Sequence, residues 1–224
     1  MENQAHQRQL SEQSEPYRFA QPALLQENQN LTNALTPEDY IAGSVRNILY
    51  AIGEDPERQG LLKTPERVSR MYDEITAGYR TDPIKLVNRA IFDVEYAEMV
   101  VVRDIEFYSL CEHHMLPFFG RVHVAYLPEN QVIGLSKIPR IVEMYARRLQ
   151  VQERMTSEIA NFLNEVIRPR GVAVLVEGAH MCSMMRGVKK AEASMSTSAY
   201  LGEFRTDRQL KDDFLKQIAL RGSN

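Results

Sequence analysis

Two stretches near the start of the chain carry apolar side chains at the three-to-four-residue spacing of an amphipathic helix. Each stretch opens on the sequence Thr-Pro-Glu. A capping threonine, a proline in the first turn and an acid beside it are typical of a helix start. We therefore predict one helix capped by Thr36 that continues to about Leu49, and a second capped by Thr64 that stops at Gly78.

The apolar pattern changes to a two-residue alternation in the middle of the chain, where β-branched and aromatic side chains are frequent. Pairs of predicted strands then alternate with pairs of predicted helices, which indicates an α+β fold with antiparallel strands and helices on one face. The predicted elements are strands over 99–108 and 118–127, helices from Ser136 to about Leu149 and from about 152 to 167, strands over 172–176 and 192–201, and a terminal helix capped by Thr206-Asp207.

Residues 1–35 differ in composition from the rest, being rich in Gln, Asn, Ser and Glu without any period. Such a segment cannot bury enough apolar surface to offset the entropy of ordering it, so we predict a flexible N-terminal tail. The chain has 224 residues, of which 44% are hydrophobic. We expect residues 36–224 to form one catalytic domain.

The charge and the apolar runs of the chain exclude several classes of function. A net charge of −3 gives no basic footprint for nucleic acid. The sequence has no run of about 18 apolar residues and therefore predicts no membrane span. No apolar signal segment is visible at the N-terminus, so we expect a cytoplasmic protein. Its two cysteines, Cys111 and Cys182, are then expected to be thiols rather than a disulfide.

Both cysteines stand beside histidines. Cys111 and His114 are three apart on a turn after a predicted strand, and Cys182 follows His180 where another strand ends. Strand alternation would put His180 and Cys182 on the same face. Two thiolates and one imidazole with an open fourth position are typical of catalytic zinc. Spacing alone leaves three alternatives open: His113 as the ligand instead of His114, His180 as a fourth ligand of a structural site, or no metal.

Basic side chains collect where the predicted helix opens at Ser136. Lys137 and Arg140 are three apart, hence on one face near the positive end of the helix dipole, which favours binding of a phosphate. A solvated helix face explains each basic group equally well when it is taken singly. No G-x-x-x-x-G-K-[ST] segment occurs, which argues against phosphoryl transfer. Further basic candidates are Arg186, shortly after Cys182, and Arg67 and Arg70 on the second predicted helix.

Gln152 and Glu153 lie at the start of the next predicted helix. A carboxylate can accept hydrogen bonds from the ring N–H and the exocyclic amine of guanine, which are adjacent donors. Adenine presents an acceptor in place of that ring donor and would be repelled. The simpler alternative for Glu153 is an acid that the helix dipole favours at a helix start.

Taken together, these segments resemble GTP cyclohydrolase I. The resemblance covers about residues 36–220, which is essentially everything except the tail. The ordered combination is highly specific, although no single motif is. The matching segments are 53–56, 63–67, Cys111-Glu112-His113-His114, Gly134-Leu135-Ser136-Lys137, Gln150-Val151-Gln152-Glu153-Arg154, His180-Met181-Cys182 and Arg186-Gly187-Val188.

The resemblance implies a T-fold that assembles into a toroidal homodecamer with active sites between subunits. It also implies one zinc ion per subunit, held by Cys111, His114 and Cys182. His113 and His180 are then left as acid–base groups.

The implied reaction converts GTP and water to 7,8-dihydroneopterin triphosphate and formate, the entry to folate-type pterins. His113 would protonate N7 of the purine, and His180 and Ser136 are the candidates for later proton transfers. The guanine would be held by Glu153 and Gln152. The triphosphate would be held by Lys137, Arg140, Arg186, Arg67 and Arg70.

Two rival functions remain at this point. An enzyme of the same fold that processes a pterin or a deazapurine would release no formate from GTP. A non-catalytic binding protein stapled by zinc would have a closed metal site and no turnover.

Overall fold

The computed structural model describes residues 36–87 and 90–219. The predicted tail, residues 1–35, lies outside the described residues, as do the last five residues of the predicted domain. None of the helices in the described ranges has both the length and the apolar character needed to cross a bilayer.

The chain folds into helices that flank a central sheet. The helices are α1 (Pro37–Ala51), α2 (Thr64–Ile75), α3 (Pro83–Val87), α4 (Lys137–Ala146), α5 (Gln152–Ile167), α6 (Met181–Met184), α7 (Glu203–Thr206) and α8 (Arg208–Ala219), with a 3-10 turn at Ala77–Tyr79. The strands are β1 (Ile91–Asp93), β2 (Val100–Cys111), β3 (Pro117–Leu127), β4 (Gln131–Ile133), β5 (Leu149–Gln150), β6 (Gly171–His180) and β7 (Ser194–Gly202).

The first predicted helix start is confirmed. The Thr36 hydroxyl accepts the Asp39 N–H at 3.3 Å, and the Asp39 carboxylate accepts the Thr36 N–H at 2.8 Å, so each residue caps the other. The second predicted cap is wrong by one residue, because α2 begins at Thr64 itself and no side chain caps it. α2 also ends at Ile75, before the predicted stop at Gly78.

The central sheet has the strand order β5-β2-β3-β6-β7. β2, β3, β6 and β7 pair in antiparallel fashion, which confirms the predicted α+β class with antiparallel strands. β5 instead pairs in parallel with the end of β2, Leu149 opposite Leu110. The prediction that the helix from Ser136 reaches Leu149 is therefore wrong: α4 ends at Ala146.

Both faces of the sheet are covered by helices. On one face, alternate residues of β3 such as Val122 and Val124 pack with α4 and α5 in the main core. The residues between them, such as Ala125, pack on the other face with Phe204 of α7 and Phe214 of α8. The predicted helix pair on one face is thus present as α4 and α5, but the C-terminal helices cover the opposite face.

A β-bulge in β2 decides which face its last residues occupy. The pairing with β3 shifts register between Val102 and Ile105, and Asp104 adopts a φ of 59° at the shift. Val102 packs against the main core before the bulge, and Ile105 and Cys111 belong to that core after it. Because side chains alternate along a strand, the extra residue turns Cys111 towards the α4–α5 face.

Gly78 allows the α1–α2 hairpin to approach the rest of the domain closely. Its N–H donates to the Arg147 carbonyl at 3.0 Å. An added Cβ would lie 2.2 Å from the Met144 carbonyl oxygen and 2.7 Å from that of Arg147.

We therefore expect Gly78→Ala to lower the free energy of unfolding by about 1–3 kcal/mol, the usual cost of overpacking. Gly43→Ala is the matched control, because nothing lies within 4 Å of its Cβ position in α1. Alanine has the higher helix propensity, so the control should gain up to about 1 kcal/mol. Urea denaturation measures both, and a Gly78→Ala protein as stable as the parent would contradict the close approach.

Candidate metal centre and active site

The central strand β3 brings two distant parts of the chain together. β2 ends at Cys111, immediately before the turn that leads into β3. β6 ends at His180, which lies opposite Phe118 at the start of β3. Because β3 is antiparallel to both neighbours, the carboxyl ends of β2 and β6 lie at the same edge of the sheet, on either side of the start of β3.

Three potential metal ligands converge at this edge. One ligand atom each from Cys111, His114 and Cys182 lies within 4.8 Å of the others. Cys182 lies on the short helix α6, so strand alternation does not relate it to His180 as the sequence predicted. The helical turn nevertheless carries its sulfur back to Cys111.

Backbone hydrogen bonds fix the turn that carries Cys111 and His114. The Cys111 N–H donates to the Leu116 carbonyl at 2.9 Å, and the Met115 N–H donates to the Cys111 carbonyl at 2.7 Å. Met115 closes the turn in the left-handed region, with a φ of 54°. A non-glycine residue there is uncommon and marks a backbone held by its surroundings.

The chemistry of this donor set fits zinc. Thiolate sulfur and imidazole nitrogen are its usual ligands, and three protein ligands leave one position open for water or substrate. Burial and the neighbouring Cys111 sulfur raise the pKa of the Cys182 thiol, while the positive charge of Arg186 lowers it. Metal binding requires thiolates, so a cation here would reverse that rise and release protons.

The other two histidines lie beside this group. His113 is exposed, and its Nδ1 lies 3.8 Å from the Cys111 sulfur. The His180 ring stacks on Phe118, with centroids 4.7 Å apart and planes 3° from parallel. Burial lowers the pKa of His180, and the nearby Glu153 carboxylate partly opposes this by raising it. Burial at the edge of the site thus favours the neutral form of the His180 ring.

Gln152 supports His180 from inside the core. Its side chain is 1% exposed. Its amide nitrogen donates to the carbonyls of Val176 and Met195 and to the Thr197 hydroxyl, at 3.0–3.1 Å. With its nitrogen so engaged, its oxygen faces His180 Nε2 at 2.9 Å and accepts that N–H.

That Gln152 helps to hold guanine stays a prediction. A guanine contact from its side chain would require this buried amide to leave its four partners. The next residue of α5, Glu153, is exposed and lies close enough to His180 to raise the pKa of that histidine.

The predicted basic and hydroxyl groups lie on separate elements. Lys137 is half-buried at the start of α4, where its amine donates to the Leu86 carbonyl at 2.8 Å. Arg67 and Arg70 project from α2, which packs mainly on α1 and the 3-10 turn. The exposed members of the predicted set are Ser136, Arg140, Arg186, Arg67 and Arg70.

Sequence reasoning missed three residues that shape the site. Phe118 forms the stacking surface for His180, and Glu112 forms an ion pair with Arg154 at the start of α5. Glu112 and Arg154 both stand inside the motifs noted above, but residues this far apart show no pairing signal in one sequence. The ion pair lowers the pKa of the Glu112 carboxyl, chiefly through the hydrogen bond from Arg154.

Comparison with known proteins gives a consistent picture. Residues 41–219 match the GTP cyclohydrolase I family. The GTP cyclohydrolase 1 of Chlorobaculum tepidum is 52% identical over 185 residues, covering 81% of this chain and 83% of that protein. The GTP cyclohydrolase 1 of Leptospira biflexa is 55% identical over 174 residues, covering 78% of this chain and 95% of that protein.

Similarity to solved structures is much weaker. The apo archaeosine synthase QueF-Like superposes with a TM-score of 0.40 and 17% sequence identity, covering 46% of this chain and 93% of that one. This likeness is too low to assign the fold.

The role of Gln152 can be tested by Gln152→Leu, which removes the acceptor of His180 Nε2 and the donor to the Val176 and Met195 carbonyls. We expect a loss of about 1–3 kcal/mol in the free energy of unfolding, the usual cost of unsatisfied buried polar groups. Ser157→Ala is the control, because that exposed hydroxyl bonds only to the Glu153 carbonyl of its own helix. Chemical denaturation compares the two, and equal stabilities would show that the Gln152 network contributes nothing.

Proposed function

The chain belongs to the GTP cyclohydrolase I family, and from this membership we propose that it converts GTP and water to 7,8-dihydroneopterin triphosphate and formate. The protein is accordingly a hydrolase. The observation that carries the proposal is the convergence of Cys111, His114 and Cys182 within 4.8 Å beside two further histidines. We also propose that the product enters folate-type pterin synthesis and that the enzyme works in the cytoplasm, where both thiols stay reduced.

Cys111, His114 and Cys182 are the residues that would hold one zinc ion per subunit. When bound, zinc supplies a Lewis acid that lowers the pKa of water, the nucleophile needed at C8 of the purine. The three-donor set supports a catalytic site over a closed structural one, because among the described residues the group comprises Cys111, His114 and Cys182 and does not include His180.

His113 and His180 would move the protons. In this proposal, His113 donates a proton to N7 of the purine, which makes C8 electrophilic and permits opening of the imidazole ring. Formate leaves after a second hydration. His180 and Ser136 then transfer protons while the ribose opens, rearranges and closes the pterin ring. The stacking on Phe118 supports a fixed orientation for His180 during these steps.

Charged side chains around the histidines would bind the rest of GTP. Glu153 would accept hydrogen bonds from the two adjacent donors of guanine, and its influence on the pKa of His180 supports its closeness to the reacting groups. The triphosphate would be held by the basic set Lys137, Arg140, Arg186, Arg67 and Arg70. The effect of Arg186 on the pKa of Cys182 supports its place near the metal centre.

We further propose that the domain is a T-fold and that it assembles into a toroidal homodecamer with active sites between subunits. β7 supports this assembly, since within residues 36–87 and 90–219 it pairs only with β6 and so has an edge free for another chain. α2 packs mainly on α1 and the 3-10 turn, which supports the view that Arg67 serves a neighbouring subunit's pocket. Sedimentation velocity of the full chain tests the assembly, and a monomer would exclude it.

The reaction is tested by incubating the pure protein with GTP and measuring formate and, after oxidation, a fluorescent pterin. We expect both products from GTP and neither from ATP. Cys182→Ala should lose both the zinc and the products, because one of the three ligands is gone. Ser183→Ala, its neighbour on α6, should retain them. Full activity in metal-free Cys182→Ala protein would overturn the proposal, and wild-type protein that yields no formate would overturn it as well.

The two adjacent histidines are expected to behave differently. His113→Ala should retain about one zinc per chain and still bind GTP, yet lose about 10²–10⁴-fold in turnover, the range for an acid–base group. His114→Ala should lose the metal itself. Metal analysis with single-turnover formate release separates these outcomes. Loss of zinc in His113→Ala but not in His114→Ala would mean that the two roles are exchanged.

A further inference from the structure

Arg154, on the first turn of α5, joins three segments that surround the candidate metal centre. Its Nε donates to the Gln150 side-chain oxygen at 3.0 Å, and one terminal nitrogen donates to the Leu149 carbonyl at 3.2 Å. The same nitrogen donates to the Glu112 carboxylate. Glu112 stands between the two metal-binding residues of the β2–β3 turn. The guanidinium therefore connects that turn to β5 and to α5.

Gln150, which accepts the hydrogen bond from Arg154 Nε, is itself held in place. Gln150 is 2% exposed, and its amide donates to the Tyr145 carbonyl at 3.2 Å and to the Glu158 carboxylate at 2.7 Å. The Gln150 carbonyl accepts the Glu112 N–H at 3.0 Å. Buried polar networks that are fully bonded hold a single arrangement. Arg154 is therefore bonded to a firmly held Gln150 while it contacts Glu112.

The position of Arg154 on α5 gives this contact its significance. Gln152 on the same turn supports His180, and Glu153 is the candidate guanine ligand. A change in the Glu112–Arg154 contact would alter the distance between these groups and the turn that bears His113 and His114. The turn with the candidate metal ligands and the first turn of α5 therefore both depend on one pair of side chains.

We propose that Arg154 is a positioning residue that acts through Glu112 to hold the Cys111–His114 turn against the start of α5. This role rests on the function proposed above and deepens it, since it links metal binding to substrate binding. An exposed ion pair alone contributes little, and the two side chains are 43% and 34% exposed. The forked guanidinium adds to this ion pair, because from α5 it bonds three acceptors on two other segments, β5 and the β2–β3 turn.

Arg154→Met tests the proposal directly. Mutation of residues that support metal ligands from outside typically lowers metal affinity by about 10–100-fold. We therefore expect a loss of that size in zinc affinity, measured by competition with a chromophoric chelator. The visible absorption of the Co²⁺-substituted protein should shift as the ligand geometry changes. The KM for GTP should rise together with the loss of zinc affinity. Arg154→Lys, which keeps the positive charge but not the forked guanidinium, should retain more zinc affinity than Arg154→Met and less than the parent.

Arg147→Met is the matched control. Arg147 is also partly exposed. It directly follows α4 and forms an ion pair at 2.7 Å with Glu143 of that helix. Its removal should leave zinc affinity, the Co²⁺ spectrum and KM as in the parent. Thermal unfolding of the metal-free proteins should give similar values for the two methionine variants. A loss of zinc affinity in Arg147→Met as large as in Arg154→Met would assign the effect to general destabilisation and overturn the proposal.

The route through Glu112 is tested by combining variants. If Arg154 acts through Glu112, then Glu112→Gln lowers zinc affinity by a similar factor, and the double variant is no worse than Arg154→Met alone. Losses that multiply in the double variant would overturn this route. Unchanged zinc affinity and Co²⁺ spectrum in Arg154→Met and Arg154→Lys would overturn the proposal as a whole. The zinc measurements need no turnover, so they distinguish this result from a wild-type protein that releases no formate.

Discussion

The candidate site depends on the pairing of β3 with both β2 and β6. Cys111 and Cys182 are distant in sequence, and antiparallel pairing on either side of one strand is what brings the ends of β2 and β6 to a common edge. The bulge at Asp104 is a second requirement, because it turns Cys111 to the face where Cys182 arrives. The chemistry of the site thus depends first on how the backbones of β2, β3 and β6 pair.

The first turn of α5 then orders the side chains around that edge. Three consecutive residues point in different directions: Gln152 into the core beneath His180, Glu153 to the surface, and Arg154 to the turn of Glu112. A helix is stiff, and successive side chains are separated by about 100° around its axis. One helical turn can therefore keep His180, the candidate guanine ligand Glu153 and the turn of Cys111 and His114 at constant distances from one another.

The electrostatics of the site follow from the same arrangement. Burial and the neighbouring Cys111 sulfur raise the pKa of the Cys182 thiol, and a bound cation would supply the charge that stabilises a thiolate there. Burial lowers the pKa of His180, and the exposed arginines place positive charge at the surface. Family membership gives these groups a substrate and a reaction. Geometry contributes the convergence of three potential metal ligands, Cys111, His114 and Cys182.

The sequence by itself determined the features that have local causes. The Thr36 capping box, the strands predicted over 99–108 and 118–127, the helix over Gln152–Ile167 and the α+β class all follow from the spacing and type of neighbouring residues. The motifs around Cys111 and Cys182 also identified the metal-binding candidates before any fold was known. Capping, periodicity and ligand chemistry act over a few residues, so one sequence contains their signals.

Tertiary structure alone decided where distant segments meet. Leu149 leaves the predicted helix because its backbone finds a partner in Leu110 of β2. Cys182 lies on a helical turn, and the C-terminal helices cover the face of the sheet predicted to lack helices. Gln152 is buried because acceptors from β6 and β7 converge on it, and Arg154 finds Glu112 across the fold. Hydrogen bonds and ion pairs between segments far apart in the chain depend on the packed arrangement, and no local pattern encodes them.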